Sequence, residues 1–139
     1  MYLLDTNVVS ELRRVKPHGG VIAWLRGIPD AQLYFSAFTL GELQAGVEIT
    51  RRQDSAKASQ IEAWIDDVEQ TWNVLPLDGR ICRAWARLMH RRSQTVLEDA
   101  LIAATALVHD LIVVTRNVRD FAPLGVNTLN PFESRSPRR

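Results

Sequence analysis

The sequence predicts an α/β fold: a three-layer α/β/α sandwich around a short, mainly parallel sheet. Three observations carry that expectation. Short apolar runs alternate with helix-spaced segments along the chain, the pattern of a parallel sheet covered on both faces. The clearest run, LIVV at 111–114, is apolar throughout, as a doubly covered strand must be. The stretch before it, ALIAATALV at 100–108, is apolar on nearly every side of a helix, which suits the middle of a domain.

Each element follows in order. Tyr2, Leu3 and Leu4 give a strand over 1–4, closed by Asp5. Val8, Val9 and Leu12 stand at helical spacing and predict a helix over 7–14. Pro17, Gly19 and Gly20 break the chain, and a short helix over 21–26 ends at Gly27 and Pro29. A strand covers 32–35. Leu40, Leu43 and Val47 share one face of a helix over 39–52; Ile61, Trp64, Ile65, Val68 and Trp72 do so over 54–71. A strand at 74–77 leads to Asp78, which caps a helix over 80–92. The apolar helix spans 95–109, the LIVV strand follows, a helical turn fits 118–121 and an edge strand 126–129. Residues 1–132 form one domain. The last seven, ESRSPRR at 133–139, lack apolar periodicity and read as a loose basic tail.

Composition narrows the class. A chain of 139 residues suits one domain, 46% apolar residues supply a core, and 24% charged residues are too few for a disordered chain. The net charge of +1 does not point to nucleic acid, but 15 of the 17 basic residues are arginine; the exceptions are Lys16 and Lys57. Arginine's planar fork suits phosphate, although codon bias explains the excess equally well. Cys82 is alone, which excludes an intrachain disulfide, and it reads as a small buried residue. Trp24, Trp64, Trp72 and Trp85 offer more apolar surface than a small core needs. No run approaches the roughly 18 apolar residues of a membrane span, and the N-terminus enters a strand pattern without a secretory signal. A cytoplasmic protein is expected.

Ligands of parallel α/β folds bind outside the carboxyl ends of the strands, and acids gather at those ends. Asp5 closes the first strand, with Thr6 and Asn7 behind it. Ser36 closes the second, followed by Glu42. Asp99 lies near the start of the apolar helix. Thr115 closes the LIVV strand, followed by Arg116, Asn117 and Asp120. Convergence on one rim would be costly: like charges a few ångströms apart repel by on the order of several kcal/mol at an effective dielectric near 20. Protonation or a cation relieves the repulsion, and an all-oxygen site suits Mg²⁺ or Mn²⁺. Each acid also has a plainer reading. Asp5 can cap the first helix. Thr39-Leu40-Gly41-Glu42 fits a capping box, as does Thr95-Val96-Leu97-Glu98. Asp99 can be a solvated first-turn charge, and Asn117 and Asp120 turn residues.

Four stretches, LLDTNVVSEL, SAFTLGELQAG, EDALIAATAL and VTRNVRDF, resemble in this order the PIN-domain ribonucleases. More narrowly they are similar to the VapC-type toxins of bacterial type II toxin–antitoxin pairs, including the FitB-like branch. The resemblance runs from Met1 to about Phe132. It implies the PIN-like sandwich and a metal-dependent endoribonuclease using Mg²⁺ or Mn²⁺. Asp5, Glu42 and Asp99 match the family's acids; Thr6, Ser36 and Thr115 match its hydroxyls. A fourth position is aspartate in some members; here it is Asn117, with Asp120 nearby, which takes one negative charge from the matched set. The resemblance also implies a small antitoxin that covers the site, and a homodimer or a toxin–antitoxin hetero-oligomer. RNA, single-stranded or structured, is expected to track along Arg13, Arg14, Arg116 and Arg119, with Arg91 and Arg92 as further candidates. The competing class is a non-catalytic acidic pocket that pairs with a basic partner protein.

Overall fold

The computed structural model describes residues 1–91 and 96–133. Five strands form one parallel sheet: β1 (Tyr2–Leu4), β2 (Leu33–Ser36), β3 (Asn73–Leu75), β4 (Ile112–Val114) and β5 (Thr128–Leu129). Their order is β3-β2-β1-β4-β5. Seven helices connect them among the described residues: α1 (Thr6–Glu11), α2 (Gly19–Arg26), α3 (Ala37–Arg51), α4 (Ser55–Thr71), α5 (Gly79–Arg91), α6 (Leu97–His109) and α7 (Val118–Phe121), with single 3-10 turns at Asp30–Gln32 and Ala122–Leu124.

The period-2 geometry of strands divides the core in two. Leu4, Leu33, Phe35 and Val114 pack with Val8, Val9, Val21, Leu43, Val47, Ala58, Ile65 and Val68 of α1–α4. Leu3 and Val113 turn the other way, onto Ile102, Ala103, Ala106, Phe121 and Leu124. These two cores on opposite faces are the three layers that the sequence predicts. Trp24, Trp64 and Trp72 lie half-buried against the first core, Trp24 edge-on to the Tyr2 ring at 5.0 Å. They pack on this core while staying partly exposed.

Several boundaries differ from the sequence reading. Helix α3 begins at Ala37, two residues early, because Ser36 ends β2 in an extended conformation and its hydroxyl accepts from Phe38 N–H at 3.0 Å. Thr39 is therefore helical and buried, and no capping box forms there. Asp78 caps as expected, accepting from Ile81 N–H at 3.0 Å, while Asp54 lies just outside α4 and caps it, accepting from Lys57 N–H at 3.0 Å. Cys82 is exposed, not buried: Ile81 takes the inward position on α5, and its neighbour is rotated outward. Asp110, left-handed at φ 55°, ends α6; Leu111 N–H returns to Ala106 O at 2.9 Å as the chain turns into β4. Position 95, the expected start of the apolar helix, residue 92 and the tail from 134 onward lie outside the described residues. No helix among the described residues is long and apolar enough to cross a membrane.

The strand order sets the site. From β1 the chain builds outward through β2 to β3, then crosses back to lay β4 on the other side of β1. The crevice of such a fold opens where the order reverses, and here it lies between the ends of β1 and β4.

Candidate active site

Asp5 leaves β1 with its N–H still bonded to Val114 O at 2.9 Å. Its Oδ1 accepts from Thr6 N–H at 2.8 Å and so caps α1. Its Oδ2 accepts from the Thr115 hydroxyl at 2.8 Å and from Asn7 Nδ2 at 3.3 Å. Both sequence readings of Asp5 therefore hold at once: it is a helix cap and a rim acid. Only 8% of it is exposed. Burial pushes its pKa up, against the opposing pull of Thr115, Thr6 and Asn7. Thr115 is held in turn: its N–H bonds Leu129 O at 2.9 Å, and its Oγ1 accepts from Asn117 N–H at 3.0 Å.

Glu42 projects from α3 and accepts the Thr6 hydroxyl at 2.7 Å. A hydroxyl has one proton to give, so in the 3.1 Å contact between Thr6 and buried Thr39 it is Thr39 that donates. Glu42 thus belongs to the rim and does not reach back to cap α3. Burial raises its pKa first; Thr6 opposes this, and Asp5 and Glu98 raise it further.

Asp99, in the first turn of α6, accepts no hydrogen bond from any described residue. Its pKa is pushed up to about 6, first by burial and then by the charges of Asp5, Asp120, Glu98 and Glu42. Four acids from four parts of the chain therefore act on this carboxylate. Glu98 is the one that the sequence reading assigned elsewhere. Val96 holds the N-cap position of α6 without a side-chain bond. Thr95, the other end of that expected capping box, lies outside the described residues.

Residues 2–125 match the PIN domain family. This chain belongs to the PIN-domain family. It is 34% identical to the plasmid stability protein StbB of Pseudomonas syringae pv. tomato, over 96% of this chain and 100% of that protein. Identity to the VapC ribonuclease Y4jK of Sinorhizobium fredii is 35%, over 96% and 99%, and to the toxin FitB of Neisseria gonorrhoeae 32%, over 95% and 99%. Among solved structures, FitAcB from Neisseria gonorrhoeae superposes with a TM-score of 0.88 at 30% identity, over 96% of this chain and 100% of that one. A toxin–antitoxin complex from Klebsiella pneumoniae superposes at 0.75 with 27% identity, over 96% and 100%.

The remaining expected residues of this PIN domain are placed as follows. The Ser36 hydroxyl is committed to the α3 cap. Asn117 and Asp120 are exposed on the segment after β4; Asp120 lies near enough to raise the Asp99 pKa. Arg116 stacks 3.9 Å above the Phe132 ring, which also meets His18 at 5.2 Å, while its N–H bonds Asn7 Oδ1 at 3.3 Å. Arg14 pairs with buried Glu11 at 3.5 Å, and Glu11 also accepts from His18 N–H at 2.9 Å. Arg13 and Arg119 are exposed. Arg91 ends α5, and Arg92 lies outside the described residues. Sequence reasoning missed Thr39, Glu98 and Glu11 as partners. The first two were visible only as capping-box members, and a glutamate at a helix end gives no sign of burial.

Among the described residues, no three His, Cys, Asp or Glu side chains already stand as a ready metal cage. The donor chemistry still fits a hard cation. Every acid at the rim offers oxygen, and the Asp99 carboxylate has no hydrogen-bond donor among the described residues. Mg²⁺ takes one or two carboxylates directly and keeps several waters, so it does not require a closed cage.

Proposed function

We propose that this PIN domain is a Mg²⁺- or Mn²⁺-dependent endoribonuclease that hydrolyses single-stranded or structured RNA in the cytoplasm, as the toxin of a toxin–antitoxin pair. The observation that carries the reading is Asp99: a half-buried carboxylate with no hydrogen-bond donor among the described residues, pushed to about 6 by burial and four other acids. Such a site is costly for stability and apt for a cation.

Asp5, Glu42 and Asp99 would hold the ion. When bound, it lowers the pKa of a water and neutralises charge on the phosphate oxygens. The chain's own residues set the stage. Thr115, Asn7 and the Thr6 N–H fix both oxygens of Asp5, and the Thr6 hydroxyl fixes Glu42. Asn117 or Asp120 orients water at the outer edge. Arg116, held by Phe132 at the end of β4, presents its fork to a phosphate, with Arg119, Arg13 and Arg14 further along the strand. Hydrolysis by water leaves a 5′-phosphate and a 3′-hydroxyl; a 2′,3′-cyclic phosphate product would contradict the scheme. The partner reading is supported by the Klebsiella pneumoniae structure, which was solved as a toxin–antitoxin complex. A small antitoxin is proposed to cover the site here, with a homodimer or hetero-oligomer as the assembled form.

The test is RNA cleavage by the purified chain with Mn²⁺, in EDTA, and after Asp5→Asn or Asp99→Asn. Cleavage is expected with Mn²⁺ only, falling at least 100-fold in either variant, of the order of losing an essential electrostatic contact. Undiminished cleavage in EDTA sinks the proposal. The second reading, a non-catalytic acidic pocket that binds a basic partner, is favoured by the lack of a ready cage among the described residues. It predicts partner binding that ignores metal and no cleavage at all.

A further inference from the structure

Helix α5 carries a charged surface outside the acidic rim. Arg80, Arg83 and Arg87 stand at i, i+3 and i+7 and so share one face. All three are exposed. None forms an ion pair or hydrogen bond with a described residue, and the ion pairs present lie elsewhere. Together with Ala84 and Val108 they line a groove of about 280 Å³. Two features make this row costly for the fold. Like charges at helical spacing repel. Arg80 also stands in the first turn of α5, where the helix dipole disfavours a cation; the turn itself carries no acid, and the Asp78 carboxylate before it accepts from Ile81 N–H as the cap and forms no ion pair with Arg80. An external anion would relieve both.

The chemistry of the groove indicates which anion. Guanidinium forks match phosphate oxygens, and unstacked bases lie on guanidinium planes and apolar surface, here Ala84 and Val108. An acidic peptide would supply carboxylates but nothing flat for that apolar floor. The row is about 10 Å long at 1.5 Å per residue. Val108 stands nine residues beyond Asp99 on α6, about 13 Å along the axis.

We propose that the arginine row of α5 and its groove form a remote site for single-stranded RNA, binding phosphates about 13 Å or more from the bond cut at the acidic rim. The RNA's status as substrate rests on the ribonuclease reading; binding does not require cleavage.

The test measures both. Anisotropy of a labelled 12-nucleotide RNA in EDTA compares the wild-type chain with the Arg80→Gln/Arg83→Gln/Arg87→Gln variant. Affinity is expected to fall about tenfold or more, and the log–log salt slope to shrink by about 2, as for three lost phosphate contacts on a single strand. With Mn²⁺, KM for the 12-mer rises by a similar factor, while kcat and cleavage of a dinucleotide, too short to reach the row, are unchanged. A triple Arg→Lys variant keeps the salt slope and recovers part of the affinity. Equal affinity and slope in the Gln variant overturn the site, as does displacement of polyglutamate from the row with no change in RNA binding. A wild-type chain that binds through the row but cuts nothing refutes the ribonuclease reading alone; one that cuts while the Gln variant binds normally refutes the remote site alone.

Discussion

At the scale of single residues, the site is arranged against the stability of its own metal-free form. Asp99 moves from 3.8 in the unfolded chain to about 6 in the fold, and the pKa values of Asp5 and Glu42 are raised as well. Between pH 4 and 6 the native state therefore holds more protons than the unfolded one. Stability from Asp99 is fully present below about 3.8 and is lost as pH rises through about 6. In full, the displacement corresponds to about 3 kcal/mol; Asp99 is only half-buried, and solvent screening reduces this to about 1 kcal/mol. Urea unfolding in EDTA should show stability falling by about that amount from pH 4 to 7, and Asp99→Asn should remove much of the slope. A rise in stability over this range would show that the acids are paired in a way the structure lacks. Thr6 makes a second prediction. Thr6→Val removes the 2.7 Å bond to Glu42. Cleavage should drop about tenfold with KM little changed, at a stability cost of about 1 kcal/mol. Unchanged kcat would remove Glu42 from the chemistry.

At the scale of elements, ordinary caps and packing aim each acid. Asp5 caps α1 with one oxygen and faces Thr115 with the other. Helix α3 starts at Ala37 because Ser36 caps it. Helix α7, only four residues long, is held by Phe121, fully buried with Leu3, Val113 and Leu124, and it carries Asp120. Phe121→Ala should cost about 3–5 kcal/mol by opening a cavity. Ser36→Ala should cost about 1 kcal/mol as a lost cap. Denaturant titration separates the two; a loss below 1 kcal/mol for Phe121→Ala would mean that α7 is not anchored by that core.

At the scale of the whole molecule, the parallel sheet brings residues from opposite ends of the chain to one crevice. The bond between Thr115 and Asp5 spans 110 positions. Mn²⁺ at about 100 times its dissociation constant should stabilise the chain by about 2.7 kcal/mol, a rise in Tm of about 8 °C for a domain of this size. Asp5→Asn should abolish most of that rise. An equal rise in the variant would place the ion elsewhere.

The sequence alone determined the layered α/β class and most of its elements, because burial on both faces leaves apolar runs that periodicity detects. It also marked Asp5 and Asp99, since a carboxylate at a strand end or beside an all-apolar helix makes poor packing sense. Only the tertiary structure decided what Glu42, Glu98 and Thr39 do. A threonine followed three residues later by a glutamate has the same local pattern whether it caps a helix or meets Thr6 across the fold, and the choice is made by contacts between residues distant in the chain. The same holds for Cys82, whose outward position depends on which face of α5 meets α6. The arginine row of α5 was present in the spacing, but only the fold showed that it forms no ion pair with a described residue.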